Sequence, residues 1–143
     1  MTNSVFIARS ATQLAQINQF IHDQWFYTDD ISFDDSAAVV TIRFTRPVPE
    51  RERRIGRAGP LHKVEVPYCE SFLRIHHARH WHVEDLQRVE MYDLNEVTYD
   101  SAAKTVRITT GIPITLFAEV DELEVSVEES GKIAAVKVRR KLI

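Results

Sequence analysis

Apolar residues Leu14, Ile17, Phe20, Ile21 and Trp25 recur at three- and four-residue steps, with Gln16, Asn18, Gln19, Asp23 and Gln24 on the other side. The spacing predicts an amphipathic helix of about four turns. Ser10 followed by Gln13 has the spacing of a capping box at its start. Most of the remaining chain alternates instead. Ile31-Ser-Phe33 and Val40-Thr-Ile42-Arg-Phe44 flank a polar Asp34-Asp-Ser-Ala turn, which is a hairpin pattern.

The same device returns 66 residues later. Phe26 to Val48 aligns without a gap on Tyr92 to Ile114. Ile31, Phe33, Asp34, Ala37, Val40, Ile42 and Pro47 meet Val97, Tyr99, Asp100, Ala103, Val106, Ile108 and Pro113. Alternation alone supplies half of these matches, so convergence of two hairpins competes with duplication. Further alternating runs follow at Ile114 to Val120, Leu123 to Val127 and Ile133 to Val138.

Between the two copies, residues 46–62 carry Arg46, Arg51, Arg53, Arg54 and Arg57 between prolines at one end and Gly56, Gly59 and Pro60 at the other. Such punctuation predicts an exposed loop. Strand signals resume at Lys63 to Val66 and Ser71 to His77. Val83 to Met91 fits either a helix or a strand, and its run into the second hairpin favours the strand. The expectation is one α+β domain over residues 1–143. An N-terminal helix packs on a curved, mainly antiparallel meander of about six to eight strands.

Composition adds limits. Charged residues make up 27% and the net charge is −3, so no global field draws the chain to nucleic acid or anionic lipid. Cys69 is the only cysteine, which excludes an intrachain disulfide and suits a reducing compartment. No stretch approaches the roughly 18 apolar residues of a membrane span. A cytoplasmic protein without a membrane partner is the expectation.

The densest candidate chemistry is Ile75-His-His-Ala-Arg-His-Trp-His-Val83. On a strand, His76, His80 and His82 share a face with Arg74 while Ile75, Trp81 and Val83 point inward. His80 and His82 then lie about 6.5 Å apart, near enough to grip one ion, whereas His76 is about 13 Å from His80. A divalent metal such as zinc needs a third ligand, from His62, Glu84 or Asp85. On a helix, His76 or His77 pairs with His80 instead. Arg51, Arg53, Arg54 and Arg57 suit capture of an anion or an acidic partner. Glu50 and Glu52 dilute that charge and no aromatic residue is interleaved, so nucleic acid is not the expected partner.

Near the end, Glu119, Asp121, Glu122, Glu124, Glu128 and Glu129 precede Lys132, Lys137, Arg139, Arg140 and Lys141, a segregation that favours strand or subunit register. A Cys69 nucleophile with His76 or His77 as base is conceivable, but a lone cysteine beside Tyr68 reads as a small buried residue. Catalysis finds little support. The favoured reading is a non-catalytic protein-binding or assembly module without a cofactor, with a second copy of the chain, as a homodimer, among its expected partners. A metal-dependent protein using the His76–His82 cluster is the alternative, and anion or nucleic-acid binding through the arginine segment is the second.

Overall fold

The computed structural model describes residues 3–85 and 87–142. Eleven strands are joined in one sheet: β1 (Asn3–Ala8), β2 (Trp25–Tyr27), β3 (Ile31–Asp34), β4 (Val39–Pro47), β5 (Arg53–Ala58), β6 (Leu61–Ile75), β7 (Ala78–Glu84), β8 (Met91–Asp100), β9 (Thr105–Thr110), β10 (Thr115–Val120) and β11 (Val125–Leu142). One α-helix, α1 (Leu14–Ile21), lies between β1 and β2. The strand order is β1-β11-β6-β4-β2-β8-β9-β10-β7, with β3 on β4 and β5 on β6, and every pairing is antiparallel.

The helix is half the expected length. Leu14, Ile17, Phe20 and Ile21 are buried as the apolar spacing requires. Trp25, expected on the same stripe, lies on β2 and is 42% exposed. At the helix start the Gln13 N–H donates to Ser10 Oγ at 3.3 Å, while Gln13 Oε1 accepts from Arg9 N–H at 2.7 Å rather than from Ser10. The helix is tied to the sheet by Asn18, whose amide accepts from Val97 N–H at 2.7 Å and donates to Val97 O at 3.1 Å.

Both predicted hairpins form, and their registers coincide at the offset of 66. In the first, Ile31, Phe33 and Asp34 face Ile42, Val40 and Val39; in the second, Val97, Tyr99 and Asp100 face Ile108, Val106 and Thr105. Each turn is closed by the first aspartate, with Asp34 Oδ1 accepting from Ala37 N–H at 3.1 Å and Asp100 Oδ1 from Ala103 N–H at 3.2 Å. Each ends on a left-handed non-glycine residue, Ala38 at φ 55° and Lys104 at φ 50°. Their carbonyls accept from Ala78 and Val120, both at 2.9 Å, and Ala78 and Val120 are themselves cross-strand partners.

The two units meet through β2 and β8, where Phe26 pairs with Tyr92, again 66 residues on, and their rings stack with centroids 6.0 Å apart. The flanking bonds match in kind: Thr28 N–H donates to Glu90 O at 3.2 Å and Leu94 N–H to Gln24 O at 2.7 Å. Local twofold symmetry relates these contacts. The later strands are exchanged, since β7 pairs with β10 and β11 with β6. Side chains from both units and α1 share one apolar core, in which Phe26, Phe44, Leu73, Tyr92, Leu94 and Leu116 are almost fully buried.

Two segments depart from expectation. Residues 46–62 are not irregular, because Arg46 and Pro47 end β4, Arg53–Ala58 forms β5 and Gly59-Pro60 is its two-residue turn into β6. Gly59 adopts φ 62°, the left-handed conformation such a turn demands. In the other direction, the expected strand from Val83 to Met91 breaks. β7 stops at Glu84 and β8 starts at Met91. No helix among the described residues is long and apolar enough to cross a membrane.

Candidate functional site

The β5 segment pairs with the first half of β6, whose other edge pairs with the last part of β11. These three strands make a ribbon at one end of the sheet. Residues 51–66 and 132–142 hold ten of the chain's 18 Lys and Arg side chains but two of its 21 carboxylates. The ribbon therefore carries a formal +8 and the remainder of the chain −11. Two basic stretches separated by about 80 positions in sequence become one surface because strand pairing zips them together.

Residues directly opposite in an antiparallel pair share a face of the sheet. On β6, Ser71, Leu73 and Ile75 point to the core, so His62, Val64, Val66, Tyr68, Glu70 and Phe72 point away from it. Arg57 and Lys141 flank His62, Arg54 and Arg139 flank Val64, and Lys137 lies beside Val66. Val64, Val66 and Tyr68 form a small second apolar cluster on this outward face. Long basic side chains lie over it: Lys137 Nζ is 4.5 Å from the centre of the Tyr68 ring, and Arg139 donates to the Tyr68 hydroxyl. Such cations gain from the ring quadrupole while their heads stay wet.

Among the described residues, Arg53 and Lys141 are the ribbon cations paired with carboxylates, Arg53 with Glu65 at 2.9 Å and Lys141 with Glu52 at 2.7 Å. Arg54, Arg57, Lys137 and Arg139 have none there. The local potential is felt by His62, whose imidazole is held below its usual pKa first by burial and then by Arg54 and Arg57. Its Nδ1 is buried without a hydrogen-bond partner.

Where the ribbon joins the body, a groove of about 580 Å³ opens on the same face. Trp25 and Tyr27 alternate with buried Phe26 on β2, so both rings point outward into it, 42% and 50% exposed. Tyr68, Met91, Lys137 and Arg139 complete the walls. Arg43 spans the floor, donating from Nε to Glu70 at 2.7 Å and lying 3.6 Å from Asp30. That hydrogen bond holds the Glu70 carboxyl below its ordinary pKa and raises Arg43. Arg43 is thus already neutralised and serves as scaffold.

The histidine cluster is divided by a turn. β6 ends at Ile75, His77 takes φ 57°, and β7 begins at Ala78, so His76 does not share a strand face with His80 and His82. His76 turns back to Ser126 Oγ at 2.8 Å, with Glu124 at 3.8 Å, and His77 lies 3.3 Å from Glu122. His80 pairs with Glu119 across the ladder, and the His82 ring stacks on Phe117 at 4.8 Å. Val83, opposite buried Leu116, keeps the expected inward side but is 42% exposed there. Of the suggested third ligands, Glu84 lies 3.8 Å from His82 and His62 sits in the ribbon. Among the described residues no group of three His, Cys, Asp or Glu side chains converges as an ion site. Cys69 is buried, its thiol pushed up chiefly by that burial, and it donates to Glu70 O.

Of the arginines singled out from sequence, Arg53, Arg54 and Arg57 lie on β5, and Arg51 closes the short 3-10 turn before it. Lys137, Arg139, Tyr68, Trp25 and Tyr27 were not singled out as site residues. The alternation Val136-Lys-Val-Arg is visible in the sequence, but its neighbour is set by a pairing that no local pattern specifies. No known protein family, curated protein or solved structure matches the chain.

Proposed function

We propose that this chain is a non-catalytic binding module that captures a polyanion on the outward face of the ribbon. The observation that carries the reading is the separation of a +8 ribbon from a −11 body. Four cations on one face, Arg54, Arg57, Lys137 and Arg139, are left without a carboxylate among the described residues. A structural ribbon would gain by interleaving opposite charges, since like charges opposite one another destabilise a sheet. In the same reading the body is an α+β domain built from a duplicated hairpin unit, supported by the shared registers and turn geometry. The lone Cys69 suits action in the cytoplasm.

Self-assembly is the second reading. Beyond Glu129 no described strand covers the outer edge of β11, and Val136 and Val138 are 55% and 59% exposed. Two copies pairing there would set Lys137, Arg139, Arg140 and Lys141 against their own counterparts. Edge lysines and arginines are a common guard against such pairing, so a polyanion must neutralise the edge first. The test is binding of inorganic polyphosphate against salt concentration. Four contacts give a slope of log affinity on log salt near −3 by the single-strand coefficient, and Arg54→Ala with Arg57→Ala brings it to about −1.4. A slope near zero, or one unmoved by the double substitution, sinks the proposal.

A further inference from the structure

Resting on that polyanion reading, we infer that the groove at the ribbon base takes an unstacked nucleobase, which makes the partner a single-stranded nucleic acid.

Trp25 and Tyr27 are two residues apart on one strand, so their rings sit roughly 7 Å apart on the same face. Large aromatic side chains dominate core burial, yet these two stand in solvent while Phe26 between them is buried. A pair of exposed rings on a sheet face is a stacking shelf, because every base offers a π-face. The groove volume of about 580 Å³ is within the range of small-ligand sites.

Chemistry beside the shelf separates the possible polyanions. Gln24, Thr45, Asp23 and Asp30 line the groove, and they offer donors and acceptors to a base edge. An acidic peptide entering there meets the Asp23 and Asp30 carboxylates and gains little from the rings. A duplex keeps its bases stacked inside and presents none to a concave pocket. From the groove, Lys137 and Arg139 lead to Arg54 and Arg57 along the ribbon. A sugar–phosphate backbone can follow that line while its base occupies the shelf.

The test titrates the full chain with a labelled oligodeoxythymidylate of about 15 nucleotides, a length suited to a single-strand footprint. Inorganic polyphosphate and poly-glutamate are titrated in parallel, and tryptophan emission is followed. Trp25→Ala is expected to weaken oligonucleotide binding about tenfold, the loss of one stacked base, and to leave polyphosphate binding unchanged. Trp25→Phe keeps the affinity but abolishes quenching, because Trp81 is partly buried on β7. Matching thermal melts exclude a folding defect. If both polyanions bind and neither Trp25 substitution matters, the base site is wrong while the ribbon reading stands. Preference for poly-glutamate overturns the nucleic-acid assignment, and failure of all three ligands to bind at about 50 mM salt removes the ribbon reading with it.

Discussion

Asn18→Ala should be among the most costly substitutions of a polar residue in this chain. The β2 strand covers β8 at Met91 to Asp93, and β3 then leaves to pair with β4. The exposed edge of β8 beyond that point would carry unpaired backbone groups. At Val97, itself buried, the Asn18 side chain supplies both an acceptor at 2.7 Å and a donor at 3.1 Å, standing in for one residue of the missing strand. Truncation leaves a buried N–H and a buried C=O unanswered at about 1–3 kcal/mol each. Alanine's better helix propensity returns at most about 0.7 kcal/mol. The net expectation is about 3 kcal/mol, roughly 10 °C in Tm for a domain of this size. Chaotrope titration gives the free energy, and amide exchange at Val97 should accelerate by more than at its ladder partner Ile108. Asn18→Asp keeps the acceptor and loses the donor, so it should fall between. A loss under about 0.5 kcal/mol for alanine, or unchanged exchange at Val97, would refute the argument.

Gly111 has no room for a side chain, since a Cβ there would lie 2.7 Å from Asp93 Cγ. Gly111→Ala should cost about 1–3 kcal/mol by overpacking, and less in an Asp93→Ala background, although Asp93→Ala alone loses the bond to Ile112 N–H at 2.9 Å. A double-mutant cycle without coupling would contradict this contact. His76 is held below its usual pKa first by burial, with His77 and Arg74 acting the same way and Glu124 and Glu128 opposing. A depressed histidine contributes stability above its unfolded value of about 6.5, and that stability is lost as pH falls through the folded value. Unfolding free energies at pH 7.5 and 5.5 should therefore differ less in His76→Gln than in the parent; an equal difference excludes His76 as a source.

The hairpins were legible because alternation and an aspartate turn are local signals, and the turn chemistry at Asp34 and Asp100 is what the structure uses. The helix was legible in place and overlong in extent. Trp25 continues the three- and four-residue spacing, but Asp23 takes φ 65° and its N–H donates to Leu94 O, so the chain has already turned. The split of the histidine cluster was hidden because a left-handed residue usually announces itself as glycine, and here it is His77. The arginine segment misled for the converse reason: Gly59-Pro60 marks a hairpin turn, which the same residues in a loop would resemble. The groove was least legible of all. Its residues come from β2 and the turns on either side of it and from β4, β6, β8 and β11, and only long-range pairing gathers them.

The matching hairpins and the basic ribbon divide the molecule between scaffold and surface. Residues related by the offset of 66 carry the core contacts, from Phe26 on Tyr92 to the paired turns bonded to Ala78 and Val120. The ribbon breaks that correspondence. Between β4 and the core half of β6 the first unit carries β5 and its turn, whereas the second passes from β9 to β10 through residues 111–114. The β11 strand likewise runs past Glu129, the last residue of its described pairing with β1, to Leu142. Cations concentrate on these two departures, and the groove lies at their junction with β2. Shortening β11 after Gly131 would remove five cations, Lys132 included, while leaving the Val125 to Glu129 pairing with β1 and β6. A folded, cooperative body whose polyphosphate binding is weakened, with a slope of log affinity on log salt of about −1.4 from the two contacts left at Arg54 and Arg57, is the outcome this division requires. Affinity and slope unchanged by the truncation would take Lys137 and Arg139 out of the site and refute the joined surface of the ribbon.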